Sequence, residues 1–317
     1  MSPATSPPPT PRSRTAVVLA AGKGTRMKSD RPKVLHEAGD RPLLGWVLEA
    51  ARRAGCARIL VVVGHGAEAV RRAFAADADV TWVEQTEQRG TGHALLQTRA
   101  ALEEETLLLV LSGDVPLVRP ETLDRLAAAA EAGWGAIATG TVAEPGGLGR
   151  VLAGGSGSLG RIVEARDATD DELAIRAVNA GLYALPSPAV FDYLERLEPD
   201  NAQGELYLTD AVTAAARDGR RIALYELADA DEALGVNDRL ELARVHRLLV
   251  ERRIRALALA GTTFLDPAAT TVGADVTTGP DTVVHGGATL LGSTALGRGV
   301  TVGTGAWLRD ARVGDGA

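Results

Sequence analysis

Three apolar runs without polar alternation punctuate the first third of the chain. Residues 15–21 (TAVVLAA), 57–63 (ARILVVV) and 106–112 (TLLLVLS) each stop at a glycine: Gly22, Gly64 and Gly113. Runs of this kind predict strands buried on both faces. Between them the period changes to a helical one. Residues 43–54 show it and end at Gly55, residues 67–75 and 92–101 read as helices, and residues 120–132 form another with Pro120 near its start. A short strand is expected at 80–83. Buried strands alternating with helices predict an α/β fold with a parallel sheet covered on both faces. Ligands of such sheets sit at the carboxyl ends of the strands, where both Gly22-Lys23-Gly24 and Gly113-Asp114 fall.

From 136 to 185 the strands become shorter and more polar, with the Gly/Ser stretch 154–160 as a hairpin tip. This part reads as an antiparallel or mixed extension. Residues 187–197 and 208–217 read as helices, 222–227 as a strand, and 238–260 as one long helix. In the long helix Leu240, Val245, Leu248, Leu249 and Leu257 recur at helical spacing with arginines between them, the pattern of a solvated charged face. After Gly261 the period becomes six. Val272, Thr278, Val284, Leu290, Leu296, Val302 and Leu308 keep that register, and Val276, Thr282, Ala288, Thr294, Val300 and Ala306 stand four positions after the first six. One inward aliphatic per six residues with small neighbours predicts a hexapeptide β-helix. The expected organisation is a disordered tail over 1–14, an α/β domain over 15–236, a linker helix over 237–261 and β-helix coils over 262–317.

Composition narrows the field by exclusion. The 317 residues are 45% apolar and 24% charged, enough to build a large core without a metal or disulfide. Only 3% are aromatic, which argues against a base-stacking platform or a membrane-interface protein. The net charge of −7 offers no basic field for nucleic acid. No apolar run approaches the roughly 20 residues that cross a bilayer. The single cysteine, Cys56, excludes an internal disulfide and points to a reducing, cytoplasmic setting; beside a strand start it is expected buried and unreactive. His36, His65 and His93 are scattered without metal spacing and read as structural or loop residues.

The chemistry concentrates in LAAGKGTRM at 19–27, followed by Arg31-Pro32-Lys33. It is neither a Walker loop nor a GxGxxG series. Glycines after a first strand let backbone approach a nucleotide closely, and Arg26 and Lys33 add fixed positive charge for phosphates. Taken singly, a Gly-x-Gly turn is a tight loop and Lys33 a surface lysine; together, at the end of the first strand, they point to phosphate chemistry. Asp114, ending an apolar strand, is either a magnesium ligand or a helix N-cap.

AAGKGTRM with RPKVL resembles the signature of sugar-1-phosphate nucleotidyltransferases. The runs EQTEQRGTGH at 84–93, SGDVPL at 112–117, Gly149-Arg150, Ile162-Val-Glu164, Asn179-Ala-Gly181, NAQGELYLTD at 201–210 and Gly235-Val-Asn-Asp238 narrow it. In this order they resemble the bacterial bifunctional GlmU family, which joins N-acetylglucosamine-1-phosphate uridylyltransferase to glucosamine-1-phosphate acetyltransferase. The likeness runs from about Thr15 to the C-terminus. It implies a Rossmann-like, GT-A-like mixed sheet followed by the first coils of a left-handed β-helix.

Carried over residue by residue, the resemblance makes Leu19, Ala20, Ala21 and Gly22 the backbone lining the nucleotide. Gln85, Gly90 and Thr91 become the uracil-reading positions, an amide and backbone groups suiting uracil's donors and acceptors. Ser112, Gly113 and Asp114 border the substrates. Asp114 becomes the magnesium ligand with Asn237 as the second; the alternative for Asn237 is a cap for the long helix. Gly149, Glu164 and Asn179 resemble an amino-sugar pocket, with sheet-edge polarity as the alternative. Glu205, Tyr207 and Asp210 take only a wall or scaffold role. Two positions depart from the family pattern: Ser112 replaces an aromatic frequent there, and Ala180 replaces the threonine of Asn-Thr-Gly. Neither removes a charged or metal-binding group, so sugar affinity is the property they put in doubt.

The implied reaction is attack by the phosphate of N-acetylglucosamine 1-phosphate on the α-phosphorus of UTP, yielding a cell-wall precursor and pyrophosphate. Both reactants are anionic, so the barrier is electrostatic and positional, and Mg²⁺, Arg26 and Lys33 are the expected catalytic charges. In the family the β-helix continues and carries the acetyl-CoA site, so acetyl transfer is expected to be absent from a chain that stops at Ala317. Related β-helices trimerise, which implies a homotrimer, although so few coils argue against it. The competing readings are another sugar phosphate and nucleotide pair, such as glucose 1-phosphate with UTP or dTTP, and a sugar-nucleotide-binding module without turnover. A purely structural β-helix protein conflicts with most of the chain.

Overall fold

The computed structural model describes residues 13–102 and 105–317. In chain order, β1 (Arg14–Ala20) precedes a hairpin of β2 (Glu37–Ala38) and β3 (Arg41–Pro42). Then come α1 (Leu43–Arg53), β4 (Arg58–Val63), α2 (Ala67–Ala73), β5 (Val80–Glu84), α3 (Thr91–Leu96), β6 (Leu107–Ser112) and α4 (Pro120–Glu131). The middle of the chain holds β7 (Gly135–Thr141), β8 (Arg150–Ala153), β9 (Leu159–Val163), α5 (Asp170–Leu173), β10 (Ala177–Pro186), α6 (Ala189–Leu194), α7 (Leu208–Arg217) and β11 (Ile222–Glu226). After the long α8 (Arg239–Leu259) come the short strands β12 (Thr263–Phe264), β13 (Thr271–Val272), β14 (Thr277–Thr278), β15 (Val283–Val284) and β16 (Thr289–Leu291). The last are β17 (Ala295–Leu296), β18 (Thr301–Val302), β19 (Trp307–Arg309) and β20 (Arg312–Val313).

Two compact units result. The first comprises the described residues of Met1–Gly22 with Val47–Gly113 and Val118–Ala233; the second comprises Lys23–Trp46, Asp114–Leu117 and Leu234–Ala317.

The first unit is a mixed sheet ordered β11-β7-β10-β6-β1-β4-β5, with β8 and β9 attached through β10. The three unalternated apolar runs are parallel neighbours at its centre, β1 lying between β4 and β6. Val17, Leu60, Leu108, Phe191, Leu208 and Val212 form its core with α6 and α7. The stretch expected as an extension is central instead: β10 runs antiparallel between β6 and β7, and Val178, Leu182, Ala184 and Leu185 are fully buried. The polar residues that disguised it lie at a register shift between Asn179 and Tyr183, where Gly181 takes φ +70. Of the tail expected over 1–14, residues 1–12 lie outside the described ones. Ser13 and Arg14 already belong to the sheet, since the Ser13 carbonyl accepts from Leu107 N at 2.9 Å and Arg14 opens β1. The helix expected over 92–101 stops at Leu96, where the Thr98 hydroxyl donates back to Leu95 O and competes with the helical ladder.

In the second unit α8 presents Val245 and Leu249 to a cluster of Met27, Ala38, Leu43, Leu117 and Val236, and Val250, Ile254 and Leu257 to the β-helix. Leu240, counted in the apolar period, is instead exposed. The short strands form three three-stranded parallel sheets, β12-β15-β18, β13-β16-β19 and β14-β17-β20. Thr271 pairs with Thr289 and Thr289 with Trp307, so one coil consumes three hexads. Val272, Val284, Leu290, Leu296 and Val302 line the interior, with Val276, Thr282, Ala288, Thr294 and Val300 filling the corners. The buried Thr282 hydroxyl is satisfied by Gly297 O at 2.9 Å. Thr278, Ala306 and Leu308 hold the register but are only half-buried. Leu290→Ala is expected to cost about 2–5 kcal/mol, the usual range for emptying a fully buried leucine site. A thermal or denaturant midpoint would show it, whereas Thr289→Ala on the outer side should leave the midpoint nearly unmoved.

The β2–β3 turn is sewn onto these coils. Asp40, held at φ +66, accepts from Gly292 N at 2.6 Å and pairs with Arg309 at 2.9 Å. The Gly39 carbonyl accepts from Ala274 N at 3.2 Å, and Arg41 pairs with Asp275 at 2.6 Å.

Candidate active site

Within the second unit the candidate cations lie on two tight turns. Gly24 takes φ +61 ahead of the 3₁₀ turn Thr25–Met27, and a Cβ there would stand 2.7 Å from Lys33 Cβ. Only glycine lets the loop lie this close. Buried Met27 pins the first turn and buried Val34 and Leu35 pin the second, leaving Arg26 exposed. The Lys33 Nζ donates to Asp114 Oδ2 in a short ion pair and lies 3.5 Å from Asn237 Oδ1. The neighbouring backbone accounts for the meeting: Val236 N donates to Asp114 O at 2.9 Å.

Neither oxygen donor is a helix cap. The residue capping α4 is Arg119, and α8 is capped by Asp238, whose carboxylate accepts from Leu240 N at 2.8 Å and Glu241 N at 2.9 Å. Asn237 gives only its backbone N–H to Glu241, at 2.6 Å. The carboxylate and the amide oxygen therefore share one cation, as two hard ligands share a metal ion. The described residues hold no group of three or more His, Cys, Asp or Glu that could cage a metal by themselves. This donor set fits an ion that keeps waters and phosphate oxygens as its other ligands.

Within the first unit the end of β1 is fixed from two sides. Gly113 N donates to Leu19 O at 2.9 Å, and Gln88 Nε2 donates to Ala21 O at 2.7 Å. Ala20 and Ala21 are buried, while Gly22 is exposed and a Cβ there would meet nothing within 4 Å. Gln85 is 3% exposed, and its amide nitrogen is engaged by Gly90 O at 3.1 Å and His93 Nδ1 at 3.0 Å. It orders the loop from inside. Gly90, at φ +99, packs so closely that a Cβ would stand 2.6 Å from Leu206 O. The Thr91 hydroxyl accepts from Leu208 N at 3.0 Å, and Gly92 N donates to Leu206 O at 2.8 Å. The 201–210 run is thus the scaffold of the 85–93 loop. Within that run Asn201 Nδ2 donates to Glu205 O at 2.6 Å and to Asp210 Oδ2 at 3.4 Å.

Gly149, Glu164 and Asn179 come together in the same unit. Gly149 O accepts from Asn179 N at 2.9 Å, and a Cβ on Gly149 would stand 3.4 Å from Glu164 Oε2. Glu164 Oε1 accepts from Thr209 Oγ1 at 2.9 Å. Burial holds the Glu164 carboxyl above its ordinary range, with Asp210 and Asp167 acting in the same direction and the Thr209 hydrogen bond opposing them. Asn179 accepts from Gly181 N at 3.1 Å and donates to the Tyr183 hydroxyl at 2.6 Å. Burial raises the Tyr183 phenol. Ser112 Oγ stands 3.5 Å from where a Cβ on Gly181 would be. Sequence reasoning missed Gln88, Tyr183 and Thr209. Gln88 and Thr209 stand inside the 84–93 and 201–210 runs, but the partners that give all three their work are remote in sequence or hidden in a bulge. Cys56 is free, and burial pushes its thiol up to about 11, so it is a poor nucleophile.

The chain belongs to a class of nucleotidyltransferases, the family of the MobA-like NTP transferase domain, whose model matches residues 16–258. More particularly, it is 46% identical over 297 residues to the bifunctional protein GlmU of Geobacter metallireducens, covering 93% of this chain and 62% of that protein. It is also 46% identical over 303 residues to the GlmU of Syntrophotalea carbinolica, covering 95% of this chain and 65% of the relative. The chain thus spans less than two thirds of the length of these relatives. Among solved structures, a UDP-glucose pyrophosphorylase complexed with UDP-glucose superposes with a TM-score of 0.61 at 20% identity, covering 76% of this chain and 99% of that one. That likeness concerns the fold. Among the described residues no helix is long and apolar enough to cross a membrane.

Proposed function

We propose that the chain transfers a uridylyl group from UTP to N-acetylglucosamine 1-phosphate, releasing pyrophosphate. The observation that carries the reading is the convergence of Asp114 and Asn237 on the Lys33 ammonium. The likeness to the GlmU proteins over nearly the whole chain supports this substrate pair. A phosphate monoester is ionised at neutral pH, so no protein base or nucleophile is required. What the reaction requires is charge compensation and alignment of two anions.

The roles of the residues follow. Backbone of Leu19, Ala20, Ala21 and Gly22 lies along the nucleotide, and the loop of Gln85, Gly90 and Thr91 presents backbone groups to uracil. Gly149, Glu164 and Asn179 receive the amino sugar, with Ser112 and Gly113 beside it. Lys33 and Arg26 take up negative charge as it grows on the leaving pyrophosphate. Asp114 and Asn237 would hold a magnesium ion, which when bound neutralises phosphate oxygens.

The test is pyrophosphate release from the purified chain with UTP, N-acetylglucosamine 1-phosphate and Mg²⁺, against a panel including glucose 1-phosphate and dTTP. The reading expects the acetylated amino sugar and UTP to be preferred, with EDTA abolishing release. Preference for glucose 1-phosphate, or UDP-sugar binding without turnover, would overturn it.

A further inference from the structure

Two threonines one turn apart on α7 face the β9 segment and do different work. Thr213 Oγ1 accepts from Ile162 N at 3.0 Å, a backbone contact that docks the helix on the strand. Thr209 reaches instead to Glu164, the residue that follows β9, and donates to its Oε1 at 2.9 Å. Both threonines are buried. Glu164 Oε2 faces Gly149 and takes no hydrogen bond among the described residues.

We infer that Thr209 is a positioning residue that holds Glu164 by one oxygen and keeps the other as an ionised acceptor for a hydroxyl of the incoming sugar. The inference rests on the reading of Gly149, Glu164 and Asn179 as the sugar pocket. The surroundings of Glu164 otherwise favour its neutral form. It is largely buried, Asp167 and Asp210 repel its charge, and the phenols of Tyr183 and Tyr207 stand nearby without supplying a positive charge. The Thr209 hydroxyl is the group that stabilises the carboxylate against them. An ionised acceptor makes the shorter, stronger hydrogen bond to a sugar hydroxyl. Once protonated, the same oxygen would carry or compete for a proton and bind less well.

The experiment uses the full chain in wild-type form and as Thr209→Val, Thr209→Ser and Thr213→Val. The Glu164 carboxyl is titrated by ¹³C NMR, assigned by its loss in Glu164→Gln. In parallel, KM and kcat for N-acetylglucosamine 1-phosphate are followed from pH 5 to 9. Thr209→Val should raise the titration midpoint by about one pH unit. It should raise KM about tenfold near pH 6 while kcat stays within about twofold, the mark of lost ground-state binding. Thr209→Ser should restore both values. Thr213→Val should lower Tm and move neither midpoint nor KM. If Thr209→Val does not fold, Thr209→Ala removes the same hydroxyl with less bulk. An unmoved midpoint in the folded variant, an equal shift in Thr213→Val, or a fall in kcat without a rise in KM would overturn the assignment. A shifted midpoint in a chain that releases no pyrophosphate with this sugar would sink the substrate reading and leave Thr209 as the holder of Glu164.

Discussion

Asp114→Ala should lower turnover by about 10³-fold, the scale seen when a charge-stabilising group is deleted from a transition state. Two losses combine. The carboxylate is one of two oxygen donors that meet at Lys33, and without it Asn237 alone is a weak ligand for a hard cation. Lys33 also loses its ion-pair partner while only 14% of its side chain is exposed, so the ammonium can leave its place. The fold should persist, because the hydrogen bond from Val236 N to Asp114 uses the backbone carbonyl, which alanine keeps. Pyrophosphate release and the thermal midpoint, measured on one preparation, separate the outcomes. Near-normal release would remove Asp114 from the chemistry. A collapsed midpoint would make its role structural.

Gly24→Val should be nearly as damaging by a different route. Residue 24 sits at φ +61, where a β-branched side chain is strained by roughly 1–3 kcal/mol. The new Cβ would also arrive 2.7 Å from Lys33 Cβ, so the lysine or the whole turn must move. A displacement of about 1 Å at a charge-bearing group can cost on the order of 10² in rate, and kcat should fall by that factor with a smaller loss of Tm. Gly22→Ala is the informative contrast. Its Cβ meets nothing within 4 Å and its φ lies outside the left-handed region, so the free protein should be as stable as wild type. Any rise in KM for UTP in that variant would report a nucleotide lying against the backbone. A Gly24→Val enzyme with normal kcat would show that the 24–33 loop does not set the position of the lysine.

Much of this was legible in the residues, for physical reasons that differ from element to element. The three strands at the centre of the first unit declared themselves because burial on both faces leaves no polar alternation to confuse the period. The hexad register survived because one coil is three hexads, so a side chain that points inward in one coil does so in the next. By contrast, β10 read as peripheral because Asn179 and Gly181 interrupt its apolar run. Their polarity belongs to a bulge, a backbone event with no period. Leu240 misled in the other direction: periodicity places a leucine on a stripe, but the stripe continues past the end of the core it serves. The lysine, carboxylate and amide that the fold brings together were legible as candidate chemistry, and the residues that support the candidate site were not. Lys33 and Asn237 lie 204 positions apart, yet each belongs to a run whose residue types carry chemistry. Gln88, Tyr183 and Thr209 are ordinary polar residues until the carbonyl, amide or carboxylate they hold is known.

The stitching of the β2–β3 turn onto the coils sets a lower limit on any attempt to pare this chain down to its nucleotide-handling half. The turn begins a few residues after Lys33 and is fastened by Ala274, Asp275, Gly292 and Arg309. A cut placed at the end of α8 would discard every one of those fastenings. The hairpin beyond the lysine turn would lose these ties and keep its contacts with α8, among them Gly39 N to His246 Nδ1 at 3.2 Å and Ala38 packed with Val245 and Leu249. A fragment that keeps the β2–β3 hairpin fully fastened therefore includes the coil that carries Arg309.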